Sequence, residues 1–545
     1  MKNRIKQYLL AASMCVGLTA CSDFFEPIPG VQFGLDETFA SKQRTEEYLN
    51  NVYSYVREVT DAIHPNTYGG IFTEASLDGA NRWNKTYAEW TNGSFNSASA
   101  QASEYFSKYY QAIAKASTFI QNVDKCTEAA ASTRGKWKSE ARALRAYYYF
   151  ELLRLYGPIP LIGEDPIPLD ASLEELIKER NSVDECVNFI ATELQSAIDS
   201  GDLLQRAGKA NLGRMDVATC MALKAKLYLY WASPLFNGNT DQASVKNKDG
   251  KQLFPQTEDN SKWTQARDAY ERFMTFATGQ GYKLTEVYTN GKLDPYASCR
   301  AAGEFFTTTW EAVDELIFVK LRDLYDYTYW VCPKFTDFQD TDVTGGGGYY
   351  TTQETVDLFF TKDGLTIEED PGYDKFEGIP GANNFTSGRY YDPNNPSRLY
   401  FDADKSKVLK QWKDREPRFY VNITYSGSIW LNEGKYNEEM RTDFTNGANG
   451  TCGKSKASGD CPDSGYLIRR GAKASNNNGS KHFSPVLRLA DMYLGYAEAL
   501  CMCSDLDNAL TYLNKIRVRA GIPEYTFTAT AGKITCPKTQ TDLLN

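Results

Sequence analysis

Three segments of this chain share one helical pattern, in which a small alanine stands three residues ahead of a tyrosine. This repeat constrains the fold more than any other feature. Ala143-Leu144-Arg145-Ala146-Tyr147-Tyr148-Tyr149-Phe150 parallels Ala222-Leu223-Lys224-Ala225-Lys226-Leu227-Tyr228-Leu229, and Ala490-Asp491-Met492-Tyr493-Leu494 matches the latter half. Lys136 to Tyr156 places Ala141, Leu144, Tyr148, Leu152 and Leu155 on one face at helical spacing and stops at Gly157-Pro158. Asp216 to Trp231 and Pro485 to Leu500 read the same way. A small alanine lets a neighbouring helix come close, and the ring fills the groove beside it.

A second amphipathic segment follows each of these helices, at Val183 to Ile198, Trp263 to Thr278 and Leu506 to Arg519. An earlier pair, Thr45 to Val59 and Ser103 to Val123, adds a fourth unit. The expected fold is therefore mostly α: a tetratricopeptide-like helical-repeat scaffold of about four helix pairs, stacked as a solenoid. The spacing between repeats is uneven, because Ala225 and Ala490 are much further apart than Ala146 and Ala225. The intervening stretch is rich in Gly, Asp, Asn, Thr and Tyr, with strand-like pieces such as Phe419-Tyr420-Val421-Asn422-Ile423. It reads as a large loop-rich insertion with short strands, on a scaffold where binding function usually sits. The expected divisions are 1–20, 21–240, 241–480 and 481–545.

The first division is a leader. Lys2, Arg4 and Lys6 precede a short apolar run, Tyr8 to Leu18, which has the length of a signal-peptide core and is too short to span a bilayer. Leu18-Thr19-Ala20-Cys21 resembles the bacterial lipobox, which implies cleavage before Cys21 and lipid on its sulfur. Each buried methylene contributes about 0.8 kcal/mol, so two or more acyl chains hold firmly to a membrane. The acidic start Ser22, Asp23, Glu26 resembles surface-export signals of Bacteroidetes lipoproteins. Elsewhere no run of apolar residues is long enough to cross a bilayer.

Net charge is −10, without the basic patch that nucleic-acid binding needs. Aromatic residues make up 13% of the chain, with 36 Tyr. Mean hydropathy is −0.51, so polar a chain that several rings are expected to stay exposed. Of twelve cysteines, those beyond Cys21 form no metal cluster; Cys452 and Cys461 bracket a Gly/Ser loop and are a disulfide candidate that spacing alone leaves open.

Several motifs are specific in combination. Glu140 to Phe150 runs on to Arg154-Leu155-Tyr156-Gly157-Pro158-Ile159-Pro160-Leu161, and Ala225 to Pro234 follows. Then come Thr352-Gln353-Glu354-Thr355-Val356-Asp357-Leu358-Phe359, Asp414-Arg415-Glu416-Pro417-Arg418-Phe419, and Arg488 to Leu500. With the lipobox, this series resembles the SusD/RagB family from the signal to about Ile522. The resemblance implies a surface lipoprotein of the outer membrane, bound through lipid on Cys21. It also implies a SusC-like TonB-dependent transporter as partner, a glycan or sometimes a peptide as ligand, and no catalysis. Family members continue into a further segment rich in Glu and Arg, so the stop at Asn545 suggests a truncated chain.

The residues themselves offer little catalytic chemistry. The only two histidines, His64 and His482, read as a turn residue and a helix-entry residue, which disfavours His-based catalysis and multi-His metal sites. Gly345 to Gly348 lacks the ending of a phosphate loop and reads as a flexible surface loop. Asp340, Asp342, Thr344 and Gly345 imitate a calcium loop, but Thr351 stands where a bidentate Glu is required. Neither a metal nor a cofactor is expected.

The aromatic residues suit capture of a sugar polymer, because flat rings stack on the C–H faces of sugars and polar rims select the hydroxyls. Two clusters stand out: Trp83 to Trp90 in a polar loop, and Tyr325-Asp326-Tyr327-Thr328-Tyr329-Trp330 ahead of the glycine run, with Tyr296 and Trp310 upstream. Candidate ligand-stacking residues are Trp83, Trp90, Tyr296, Tyr329 and Trp330. Tyr147, Tyr148 and Tyr149 read as core. Peptide capture, a surface glycoside hydrolase and a purely structural scaffold stand as the competing readings.

Overall fold

A computed structural model describes residues 34–57, 63–64, 67–68, 76, 79–81, 93–163, 167, 171–303, 311–322, 329–335, 345–376, 378–431, 440–445, 452, 460–472 and 482–545. The helical repeats form as the periodicity predicts. The scaffold helices are α1 (Lys42–Ser54), α2 (Ala100–Asn122), α3 (Ala131–Tyr156), α4 (Val183–Asp199), α5 (Val217–Ala232) and α6 (Ser261–Gly279). After the insertion, which carries the short helices α7 (Pro295–Gly303) and α8 (Pro417–Asn422), come α9 (Leu489–Met502) and α10 (Leu506–Ala520). Each helix packs on its successor from α2 to α6; α6 then packs on α9, and α9 on α10, so the insertion leaves the stack unbroken.

Local chemistry sets the helix boundaries. Ser182 and Glu185 form a capping box at the start of α4, satisfying two orphan donors at once. Asp216 caps α5 through Thr219 N at 2.7 Å and also accepts from Ala207 N at 2.7 Å. Gly521, in the left-handed region, ends α10.

The alanines of the repeat are buried: Ala146 and Ala225 fully, and Ala490 nearly so. In α9, Gly495 abuts Tyr270 of α6, where an added Cβ would lie 2.7 Å from its Cζ. Tyr147, Tyr148 and Tyr149 are core, as expected.

Helix α3 is buried almost all round between Glu140 and Leu153, and this includes charges. Arg145 donates from Nε to Glu193 of α4 at 2.8 Å and from a second nitrogen to Ser117 of α2 at 3.1 Å, tying three helices together. Arg142 takes the other Glu193 oxygen at 2.8 Å. Glu140 pairs with Arg214 at 2.5 Å and accepts from the Tyr53 hydroxyl at 3.0 Å. Burial still raises the Glu140 carboxyl above its usual range, against the pull of Arg214. Glu151 is held by Arg154 at 2.8 Å. Buried charges survive only when paired in this way.

Two expected elements differ. Pro485 to Arg488 belong to strand β8 (His482–Arg488), antiparallel to β2 (Leu316–Arg322), and α9 begins only at Leu489. His482 therefore enters a strand, not a helix. Phe419 to Asn422, read as strand-like, lie in α8, which Pro417 opens at a first-turn position where its missing N–H costs nothing.

Three strands of the insertion and one from the N-terminal region form a four-stranded antiparallel sheet in the order β6 (Ile423–Tyr425), β7 (Tyr466–Ile468), β3 (Tyr349–Tyr350) and β1 (Ala80–Asn81). The insertion also holds a hairpin, β4 (Arg389–Asp392) with β5 (Asn395–Asp402). Rings of the insertion build much of its core. Tyr400 and Tyr420 stack at 3.9 Å, and Phe419, Trp412, Tyr425 and Tyr466 close around them. The segment Asp414 to Phe419 knits this core together. One Arg415 nitrogen donates to the carbonyls of Val356 and Phe359, both at 2.6 Å, and another to the Tyr373 hydroxyl at 2.7 Å. Among the described residues, no helix is long and apolar enough to cross a membrane.

Candidate functional site: an aromatic platform at the inserted sheet

Tyr329 and Trp330 stand edge to face, with ring centroids 5.2 Å apart and planes at 84°, and both are half-buried. They begin a turn through Val331 and Cys332 whose apolar side packs into a small core with Phe335, Tyr349 and Trp430. Trp330 and Phe444 lie at the margin of that core, partly open.

The glycine run holds this turn. Gly346 N donates to the Tyr329 carbonyl at 2.7 Å, Gly347 N to that of Cys332 at 2.9 Å, and Gly348 N to that of Trp330 at 3.2 Å. All four glycines are buried. At Gly346 an added Cβ would lie 2.5 Å from Trp330 Cε3 and 2.7 Å from Tyr329 Cε1. The reading of Gly345 to Gly348 as a flexible surface loop is thus corrected: at Gly346 the backbone lies directly on two rings, and at Gly345 an added Cβ would meet the Tyr329 and Cys332 carbonyls. Lys334 pairs with Asp460 at the same edge.

Strand β3 follows the glycines and pairs with β1, Ala80 opposite Tyr350 and Asn81 opposite Tyr349. Trp83 comes two residues after Asn81 in the chain, so the strand leading to the first aromatic cluster lies beside the strand following the second. Trp83, Trp90 and Trp310 themselves lie outside the described residues, as do Cys21 and the rest of the leader.

Tyr296 is corrected. It is only 5% exposed, tilted against Tyr400 at 5.7 Å, with the Arg398 guanidinium 4.2 Å from its ring centroid. That guanidinium is fixed by both Asp294 oxygens, at 2.9 and 3.0 Å, and by Asp392 at 2.6 Å. The ring is structural and offers no open face to a ligand. Cys452 and Cys461 are both buried. Among the described residues, no three His, Cys, Asp or Glu side chains converge as a metal site.

Two concavities lie away from this platform, and neither is lined by a candidate ligand-stacking residue. One, of about 460 Å³, is apolar and runs between α2 and residues 160–178, past Phe106, Tyr110 and Ile177. The other, of about 1290 Å³, lies between residues 282–288 and α10.

Comparison with known proteins decides the family. A model of the SusD family matches residues 315–545, and a model described as starch-binding, associating with outer membrane, matches residues 32–229. The chain belongs to the SusD family. A SusD-like protein of Bacteroides ovatus is 27% identical over 175 residues, which span 31% of this chain and 30% of that relative. Among solved structures, the protein BT4246 superposes with a TM-score of 0.73 at 24% identity, covering 92% of this chain and 85% of its own. Surface glycan-binding protein A from Bacteroides uniformis reaches 0.53 at 14% identity, covering 90% and 83%. These likenesses extend over the helical scaffold and the insertion together, so the SusD fold is this chain's fold.

Proposed function

We propose that this SusD-family protein captures a glycan at the outer membrane, held there by lipid on Cys21, and passes it uncut to a SusC-like TonB-dependent transporter. The observation that carries the reading is the pairing of β1 with β3, which joins the approaches to both aromatic clusters at one sheet edge. The description of the matched family model as starch-binding and outer-membrane-associated supports it, as does the printed name of the glycan-binding relative.

Trp330 and Tyr329 supply partly open rings, pre-set by the glycines beneath them, so little side-chain freedom is lost when a sugar stacks. Trp83 and Trp90 follow β1 in the chain and are taken as further stacking rings of the same reading. A shallow array suits a long polymer, and affinity of roughly micromolar to millimolar, about −8 to −4 kcal/mol, suits a carrier that must release its cargo. Affinity-gel retardation over a panel of glycans tests this with Trp83→Ala, Trp90→Ala and Trp330→Ala. Reduced retardation supports the platform, and unchanged retardation in all three removes it.

A further inference from the structure

The larger concavity is a groove of about 1290 Å³ whose walls come from residues 282–288 and from Thr511, Asn514, Lys515 and Val518, one face of α10. It shares no lining residue with the platform at Tyr329 and Trp330.

Three features equip it for a ligand. The first is an aromatic ring held open. Tyr288 is 60% exposed and sits on a tight hairpin, paired with Leu293. Asn290 and Gly291 turn this hairpin with φ of 52° and 76°, the two-residue turn that matches strand twist. The Tyr288 hydroxyl donates to Glu286 at 2.9 Å, so the ring is presented in a fixed orientation.

The second is an orphan hydroxyl. Thr285 lines the groove, is only 4% exposed, and its Oγ1 has no hydrogen-bond partner among the described residues. Buried polar groups in native structures are nearly always satisfied, so such an atom calls for a partner from outside.

The third is the charge balance. Asp314 pairs with Arg206 at 2.8 Å and with Lys283 at 3.5 Å, and Glu524 pairs with Lys533 at 2.6 Å. Lys515 lies over the Tyr493 and Tyr512 rings at 5.2 and 4.6 Å. The lining lysines Lys283, Lys515 and Lys533 equal the lining acids Glu286, Asp314 and Glu524 in number, so the groove exerts little net pull on an ionic ligand. An exposed ring, hydrogen-bonding walls and matched charges fit a neutral polyhydroxylated chain.

We infer that this groove is a second glycan subsite, with Tyr288 stacking on a sugar ring and Thr285 bonding to a hydroxyl or to a water that the sugar holds. The inference rests on the glycan-capture reading for its ligand class but not on the platform's residues. A polymer engaging both sites gains avidity through effective concentration, without either site being tight.

The test uses the full mature chain with soluble starch, laminarin, xyloglucan and galactomannan as probes. Hydrogen exchange of the wild type should slow across 282–288 and 511–518 when the bound polymer is added. In a Trp330→Ala background, residual affinity-gel retardation should fall roughly fivefold on adding Tyr288→Ala, an exposed position where truncation leaves the core intact. Thr285→Val, which keeps the shape and removes the hydroxyl, should lower it too. Protection at 345–350 with none at 282–288 overturns the second subsite and leaves the proposed function standing. Protection at 282–288 with none at 345–350 supports the groove and overturns the platform. No protection at either overturns both.

Discussion

The helical scaffold and the inserted sheet solve the same packing problem by different means. In the scaffold, each helix meets a neighbour close in sequence, and alanine–tyrosine faces repeat along the stack. The insertion has no such period. Its core joins Tyr296, Tyr400, Trp412, Tyr420 and Tyr466, and its platform rests on glycines set against rings from a different turn. Sequence periodicity therefore reports the scaffold well and the insertion poorly.

The sharpest way to break the contrast is to attack the scaffold's buried charges. Glu193→Gln leaves Arg145 buried without its carboxylate, and stability measured by denaturant unfolding should fall by about 3–5 kcal/mol. A loss under about 1 kcal/mol would mean that the arginine finds another partner and that the scaffold is held by its rings alone.

A second test is pH. Burial pushes the Asp216 carboxyl up to about 6 from an ordinary 3.8. The folded state therefore favours the neutral acid. This stabilisation is complete below the unfolded value and is lost as pH rises through the folded one. Between pH 4 and pH 7 the wild type should lose roughly 2–3 kcal/mol more than Asp216→Asn. Equal slopes for the two proteins would show that the backbone N–H groups of Thr219 and Ala207 already hold the carboxylate.

In the insertion, Gly346→Ala places a methyl against Trp330 and Tyr329. We expect a stability loss of about 1–3 kcal/mol, together with reduced glycan retardation, because the platform must shift. Retained binding would separate the glycine run from the site. The smallest effect belongs to the exposed pair Lys125–Asp36 at 2.9 Å: Lys125→Ala should cost under about 1 kcal/mol in the same unfolding measurement.

Particular residues show why the two regions were unequally legible. Ala146, Ala225 and Ala490 carry a signal that repeats, so the helix pairs could be read from three short stretches. Glu193, which fixes Arg145, lies in the partner helix and looks like any surface glutamate. Phe419 to Ile423 is a mostly apolar run too short to separate strand from helix by periodicity, and Pro417 is its helix start signal. Pro485 to Arg488 became strand because β2 supplies a distant partner. Nothing near Gly345 to Gly348 announces that their neighbours are rings. Tyr296 is covered by Arg398, a residue far along the chain that no local pattern links to it. Of the candidate site, Tyr329 and Trp330 were legible and are brought together at a partly open edge. The sheet that adds the approach to Trp83 was not legible, since pairing across that separation leaves no local trace.

The central claim is capture without chemistry. Its most direct test is titration of the purified mature chain with a soluble glycan from the panel, followed by chain-length analysis of the recovered polymer. Saturable binding in the micromolar to millimolar range, weakened in Trp330→Ala, with an unchanged length distribution, is the predicted result. Shortened chains, or no saturable binding to any glycan tested, would contradict it.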